Sequence, residues 1–293
     1  MMDKPKVWLP GAGGQVGTAL RKLFPQPVSF QWVPTTRSEV DLTYLDEVSA
    51  FIRRNDFAAV ANCAAFTDVN GAETEPREAE TLNADLPALI FGLIPTGIHL
   101  STNYVFLSRV GRPYLEDERP TPDDSFGVYA VTKLIGERKA LALGATVLRT
   151  SWVYGPRAWG GTSFYAKIRK QLDEGKDLLR AVTDEVGNPT SSLTLARGIY
   201  ALLEDHFSGK APLGKNLYHL TDSGTVSRYE FTKGIVRLLG SNAGVAEARM
   251  ADFPSPVKRP SEAVLAPGRL AGRLQLPGWE EALGEVIERD QKD

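Results

Sequence analysis

The run Gly11-Ala12-Gly13-Gly14-Gln15-Val16-Gly17 constrains the fold more than any other stretch of this 293-residue chain. It follows a short apolar segment and opens an amphipathic one. Its glycines can therefore turn the chain tightly and bring backbone N–H groups and a helix N-terminus to a pyrophosphate. An ordinary glycine-rich turn would look the same in isolation, and the strand–turn–helix context is what gives the motif its meaning. The pattern downstream has the same rhythm. Strands are expected at residues 6–9, 29–34, 58–63, 97–100 and 146–149, each apolar enough to be buried on both faces. Between them, residues 45–55 place Leu45, Val48, Phe51 and Ile52 on one stripe, and residues 129–143 do likewise with Ile135 and Leu141. This alternation predicts an α/β chain with a Rossmann-type doubly wound parallel sheet and a smaller C-terminal α/β lobe. A dinucleotide-binding domain is expected over residues 1–156 and a substrate-binding lobe over 157–293. The border is interleaved, because a strand-like stretch at 216–221 can return to the main sheet.

The end of the second strand bears on cofactor choice. NAD-binding chains place an acidic residue there, about 20 positions after the glycines, to hold the ribose 2′-hydroxyl. Here Val33-Pro34-Thr35-Thr36-Arg37-Ser38 offers hydroxyls and a guanidinium instead, which suits a 2′-phosphate. NADPH is the expected cofactor, with NADH the alternative if Arg37 only covers the adenine or the surface. Asp41 and Leu42 would flank the adenine.

Tyr129-Ala130-Val131-Thr132-Lys133, preceded by Ser101-Thr102 at the fourth strand's end, carries the chemistry. Tyr and Lys four apart share one helix face. There the ammonium is expected to lower the phenol pKa from about 10 and let Tyr129 exchange a proton. Thr102 would hydrogen-bond a substrate oxygen as charge develops on it. A lone Tyr-x-x-x-Lys usually marks a solvated helix face, and the ordered set of motifs argues against chance.

These residues resemble the extended, sugar-nucleotide branch of the short-chain dehydrogenase/reductase superfamily. Further segments narrow the likeness: Asn62-Cys63-Ala64-Ala65-Phe66-Thr67, Ser101-Thr102-Asn103-Tyr104-Val105-Phe106, Leu148-Arg149-Thr150-Ser151-Trp152-Val153-Tyr154-Gly155, Tyr218-His219-Leu220-Thr221, and Arg259-Pro260 through Val264-Leu265. Over nearly the whole chain they are similar to the dTDP-4-dehydrorhamnose reductase family. The resemblance implies NADPH-dependent reduction of the C4 keto group of dTDP-4-dehydro-L-rhamnose, with Thr102, Tyr129 and Lys133 catalytic and Lys133 also anchoring the nicotinamide ribose. It implies cofactor contacts from Gly11, Gly14, Gln15, Val16, Gly17, Asp41, Leu42, Ala65, Phe66, Thr67 and Leu100, and substrate contacts from Thr102, Asn103 and Trp152. For Trp152, stacking on base or sugar and simple packing are both open. A homodimer is a further expectation from the family. The chain departs from the family pattern at Asn103, where Asp is usual, at Ala130 and Ala266, and in a shortened helical segment after Asn83 that contains Pro87 and Pro95.

Other classes fit less well. A 4,6-dehydratase needs an acid/base carboxylate beside Thr102, and Asn103-Tyr104 supplies none. An epimerase at C3 or C5 needs an added base, and the histidines are only His99, His206 and His219. Another NDP-4-keto-6-deoxysugar reductase or a C4 epimerase is not separated from this reading by these residues. A nucleotide-binding regulatory subunit, like the β subunit of methionine adenosyltransferase, would not need the Tyr129 and Lys133 retained here. With 34 basic and 36 acidic side chains, no field favours nucleic acid. The first residues are too short an apolar run for a signal peptide or membrane span, and Cys63 is the only cysteine, so a cytoplasmic setting is expected. Cys63 itself reads as a small hydrophobe inside a buried strand. No CxxC or HExxH spacing points to a catalytic metal, and Mg²⁺ held at an interface by scattered carboxylates would leave no trace in sequence.

Overall fold

Trp8 and its neighbours show how the sheet is built. In the computed structural model, which describes residues 4–121 and 127–292, Val7 and Leu9 belong to one core and Trp8 to another on the opposite face. A strand presents alternate residues to opposite faces, so a strand buried on both sides reads as a near-continuous apolar run, as β1 does from Val7 to Leu9. Six strands share this sheet: β1 (Lys6–Pro10), β2 (Gln31–Thr35), β3 (Phe57–Asn62), β4 (Gly97–Thr102), β5 (Thr146–Thr150) and β6 (Leu217–His219). Their spatial order is β6-β5-β4-β3-β1-β2, and every pairing is parallel.

One face is covered by α1 (Gln15–Leu23) together with the helix Ser192–Phe207, whose Leu195, Ile199 and Leu203 join Ala19 and Leu20 in a single core. The other face is covered by α2 (Leu45–Arg54), α3 (Leu86–Leu93) and α4 (Val128–Ala142), through Val48, Ile52, Ile90, Phe91 and Ala140. Strand order reverses between β1 and β3, which opens a crevice at the strands' C-terminal ends.

Two local departures from expectation have physical causes. β2 begins at Gln31 rather than at residue 29, because the backbone N–H groups of Val28 and Ser29 donate to the Glu204 carboxylate at 2.8 and 3.3 Å. Pro34, with no N–H to give, is tolerated because β2 is an edge strand. After Asn83 the prolines bound a helix and do not break it. Pro87 lies in the first turn of α3, Pro95 lies past its end, and the preceding turn, Thr81–Asp85, is a π-helix.

Beyond Tyr154 the chain forms smaller units. Val153–Tyr154 pairs with Thr190–Ser191, and Leu178–Val182 pairs with Gly244–Ala248, with the helices Phe164–Asp173 and Arg228–Leu238 beside them. Residues 1–3, which lead into β1, lie outside the described residues, as do 122–126 and 293. No helix among the described residues is long and apolar enough to cross a membrane.

Candidate active site

Gly11 turns the chain out of β1 at φ +77°, and a Cβ there would lie 2.7 Å from the Ala64 nitrogen, so no side chain fits. Helix α1 starts at Gln15 behind a Gly14 cap that offers no side-chain hydrogen bond, leaving the first-turn N–H groups open to an anion. A cavity of about 1430 Å³ spreads from this turn across the strand ends. Gly11, Gly14, Gln15, Val16, Arg37, Asp41, Leu42, Ala65, Thr67, Leu100, Tyr129 and Lys133 line it, as do Thr102, Asn103 and Trp152.

Gly17 and Phe66, also expected to contact the cofactor, stand just outside the residues that line it. Gly17 lets α1 close on the turn, since a Cβ would fall 2.3 Å from the Gly11 carbonyl oxygen. Phe66 packs beside Tyr129 with Ala72 and Ala79. Its backbone is held at both ends by Asn83, with Phe66 N–H donating to Oδ1 at 2.9 Å and Nδ2 donating to Phe66 O at 3.0 Å.

Three polar atoms on the cavity wall test whether a dinucleotide suits it. Gln15 Nε2, Thr150 Oγ1 and Ser151 Oγ are buried without a partner. Buried donors are normally satisfied, and a polyanionic, hydroxyl-rich ligand would satisfy these, so the residues present fit the group. Arg37, with its side chain 72% exposed, sits 3.4 Å from Asp41 and 3.7 Å from Glu78 at the β2 end of the cavity. One Asp41 oxygen is taken by the N–H and hydroxyl of Thr43 at 3.0 and 2.7 Å, which holds the carboxyl below its ordinary pKa.

At the base of the cavity, α4 lays Tyr129 and Lys133 against the end of β4. The Thr102 hydroxyl lies near enough to the Tyr129 phenol to favour its ionised form, accepts the Tyr104 N–H at 3.2 Å, and donates to Asn103 Oδ1 at 3.4 Å. A hydroxyl has one proton, so it cannot donate to Tyr129 and Asn103 at once. Lys133 Nζ donates to the Leu100 carbonyl at 2.7 Å. Burial pushes Tyr129 up to about 12, against the lowering expected from Lys133, because desolvation of the phenolate outweighs every neighbour. Burial also lowers Lys133 to about 8, partly opposed by the charge of Glu137. The site thus holds a firmly protonated phenol beside a lysine that titrates near the physiological range.

Trp152 is packed as well as exposed to the cavity. It lines the cavity, yet its ring is built into the wall. The Arg228 guanidinium lies 3.5 Å over the ring centroid, and a Cβ on Gly187 would sit 2.7 Å from Trp152 Cε2. Its φ of +46° is one an L-residue adopts only under constraint. Glu185 Oε1 accepts from Arg228 Nε and Nη2 at 3.0 and 2.9 Å. Arg259 reaches Tyr104 OH at 3.4 Å and Asn70 Oδ1 at 3.2 Å, placing a second cation on the same wall.

Sequence reasoning missed Arg228, Glu185, Arg259 and Asn83 as site residues. A polar Asn within a mostly apolar helical stretch was the only available signal for Asn83. Cys63, expected inside β3, instead follows the strand and is half-buried on the cavity, and desolvation raises its thiol to about 12, which leaves it protonated.

With this geometry established, comparisons with known proteins converge. A family model described as RmlD substrate binding domain matches residues 5–292. A dTDP-4-dehydrorhamnose reductase of Mycolicibacterium smegmatis is 35% identical over 295 residues, covering 96% of this chain and 85% of the relative. The crystal structure of a dTDP-4-dehydrorhamnose reductase from Clostridium acetobutylicum superposes with a TM-score of 0.85 at 30% identity, covering 98% of this chain and 99% of that one. One from Bacillus anthracis, in complex with NADP, superposes with a TM-score of 0.85 at 25% identity and the same coverage. A match spanning the described chain, with this identity and coverage behind it, places the protein in the RmlD substrate binding domain family, among the dTDP-4-dehydrorhamnose reductases.

Proposed function

We propose that the protein reduces the C4 keto group of dTDP-4-dehydro-L-rhamnose with NADPH, giving dTDP-L-rhamnose. The observation that carries this reading is that Tyr129, Thr102 and Lys133 line together the base of a cavity that begins at the glycine turn. Gln15 and the N–H groups opening α1 would hold the dinucleotide's pyrophosphate, and Arg37 its 2′-phosphate. A nicotinamide bound there would supply the hydride for the carbonyl carbon. Tyr129 gives its phenolic proton to the substrate oxygen as negative charge gathers there, and Thr102 orients that oxygen. Lys133 opposes the charge left on Tyr129 until a proton returns from solvent, so the substrate gains one hydride and one proton.

The same reading takes residues 1–156 as the dinucleotide domain and 157–293 as the substrate lobe, and its partner is the nucleotide-sugar. Arg228 and Arg259 are the lobe-side cations suited to that substrate's diphosphate. The single cysteine, Cys63, supports a reducing, cytoplasmic setting, and pairing of two copies is carried over from the family.

The test follows NADPH consumption on dTDP-4-dehydro-L-rhamnose generated in situ, with NADH in parallel, for wild type and Tyr129→Phe. Turnover that collapses in the variant supports the assignment. NADPH binding without turnover overturns the substrate, and sugar interconversion without net NADPH loss points to a C4 epimerase.

A further inference from the structure

Helix α4 carries a third residue on the stripe of Tyr129 and Lys133. Glu137 lies one further turn along, at i+4 from Lys133, and is 2% exposed. Its carboxylate is fully engaged: Oε2 accepts from Ser101 Oγ at 2.6 Å and Arg149 Nε at 3.0 Å, and Oε1 accepts from Arg149 Nη2 at 2.6 Å. Ser101 and Arg149 are register partners on the adjacent strands β4 and β5, so both reach Glu137 from one face of the sheet.

Ser101 stands between the two residues of β4 that meet the active site. The Leu100 carbonyl receives Lys133 Nζ, and the Thr102 hydroxyl meets Tyr129. Three consecutive residues of the strand end are thus matched to three residues spaced four apart on the helix.

A wholly buried ion pair is a poor device for stability alone, because desolvating two charges offsets most of their attraction. Arg149 is 0% exposed and stacks on Phe106 at 4.8 Å, with Nη1 donating to the Glu118 carbonyl at 3.3 Å. The other titratable groups facing the pair do not disturb it. His219 on β6 is held down to about 4 and His99 on β4 well below its ordinary value, both chiefly by burial, so both are neutral at physiological pH. In the preceding loop, Glu118 pairs with Arg109 and Glu116 with Arg269.

We propose that Glu137, clamped by Arg149 and Ser101, is a positioning residue that fixes the end of β4 against α4 and sets its carboxylate one helical turn from Lys133. This rests on the reductase reading for its purpose, but its physical content does not depend on the substrate. Glu137 touches no reacting atom. It acts through Lys133 electrostatically and through Ser101 mechanically, and Arg149 keeps the carboxylate in place.

The experiment is an NMR titration of lysine-labelled protein without substrate, using Lys133→Arg to assign the signal, in wild type, Glu137→Gln and Ser101→Ala. Glu137→Gln keeps the shape and removes the charge, and Lys133 then deprotonates about one pH unit lower, a tenfold change in its protonation ratio. Ser101→Ala keeps the ion pair and cuts the tether, so the Lys133 titration stays at the wild-type value while kcat falls about tenfold and the KM for NADPH is unchanged. An unmoved Lys133 titration in folded Glu137→Gln, or wild-type kcat in Ser101→Ala, overturns the proposal. If Glu137→Gln does not fold, Ser101→Ala decides alone. A protein inactive on every keto-sugar would still show or lack the lysine shift, which separates failure of this inference from failure of the substrate assignment.

Discussion

Asn103 Nδ2 donates to the carbonyl oxygen of Ala263 at 3.0 Å, joining the residue after Thr102 to a segment 160 positions further along the chain. An aspartate, usual in the family at this place, could not make that bond when ionised, because it has no proton to give. Asn103→Asp is therefore expected to set a buried carboxylate against a carbonyl and to cost about 1–3 kcal/mol. Thermal denaturation at neutral pH would show a lower Tm than wild type. The deficit should shrink as pH falls and the new carboxyl takes up a proton, which a general packing defect would not do.

The proposed reaction requires both Tyr129 and Lys133 to be protonated. Tyr129, raised to about 12, stays a phenol throughout the accessible range, so the basic limb of activity belongs to Lys133, lowered to about 8. The pH profile of kcat/KM is expected to be flat through neutrality and to fall above about 8. Lys133→Arg, whose guanidinium does not titrate, should be at least about tenfold slower and should lose that limb. The linked stability effect has a definite sign. The folded-state pKa lies below the ordinary 10.5, so the penalty for burying the charged lysine is complete below pH 8 and is relieved as pH rises between those values.

Arg37 is the residue on which cofactor choice is staked. Its side chain is 72% exposed and balanced between Asp41 and Glu78, which leaves it free to turn toward a phosphate at little cost. Arg37→Ala is expected to raise the KM for NADPH about tenfold, equivalent to ~1.4 kcal/mol, with kcat and the KM for NADH nearly unchanged. Parallel kinetics with the two cofactors check this, and an equal loss with both would assign Arg37 to the adenine.

Much of the site was legible because its signals are local. Glycines follow a strand and precede a helix, Tyr129 and Lys133 are four apart on one helix, and strands buried on two faces carry short, mostly apolar runs. Glu137 and Arg149 were not legible as a pair: an acid at i+4 from Lys133 and an arginine in a buried strand gain their meaning only when β4 and β5 bring Ser101 beside Arg149. The direction of the Tyr129 shift failed for a related reason. A sequence displays the lysine four residues away but not the burial that outweighs it. Arg228 and Trp152 lie 76 positions apart, and no periodicity could announce their stacking.

Asp222 gives the last prediction, away from the chemistry. It is 0% exposed, with Oδ2 accepting the Ser191 N–H at 2.8 Å and Oδ1 without a partner. Burial raises its carboxyl to about 7, against the nearby Thr194 hydroxyl, the Ser191 N–H bond and the charge of Arg197. The folded protein therefore holds a proton that the unfolded chain releases near 3.8, so stability declines as pH rises between 3.8 and about 7 and the full penalty persists above. Asp222→Asn keeps an acceptor for Ser191 and removes the charge. It should be more stable than wild type at pH 8, by about 1–3 kcal/mol, and the advantage should vanish toward pH 4. Denaturant unfolding of both proteins across that range measures it. A constant difference at all pH values would mean that Asp222 titrates normally and that its burial is compensated by a bond to Oδ1.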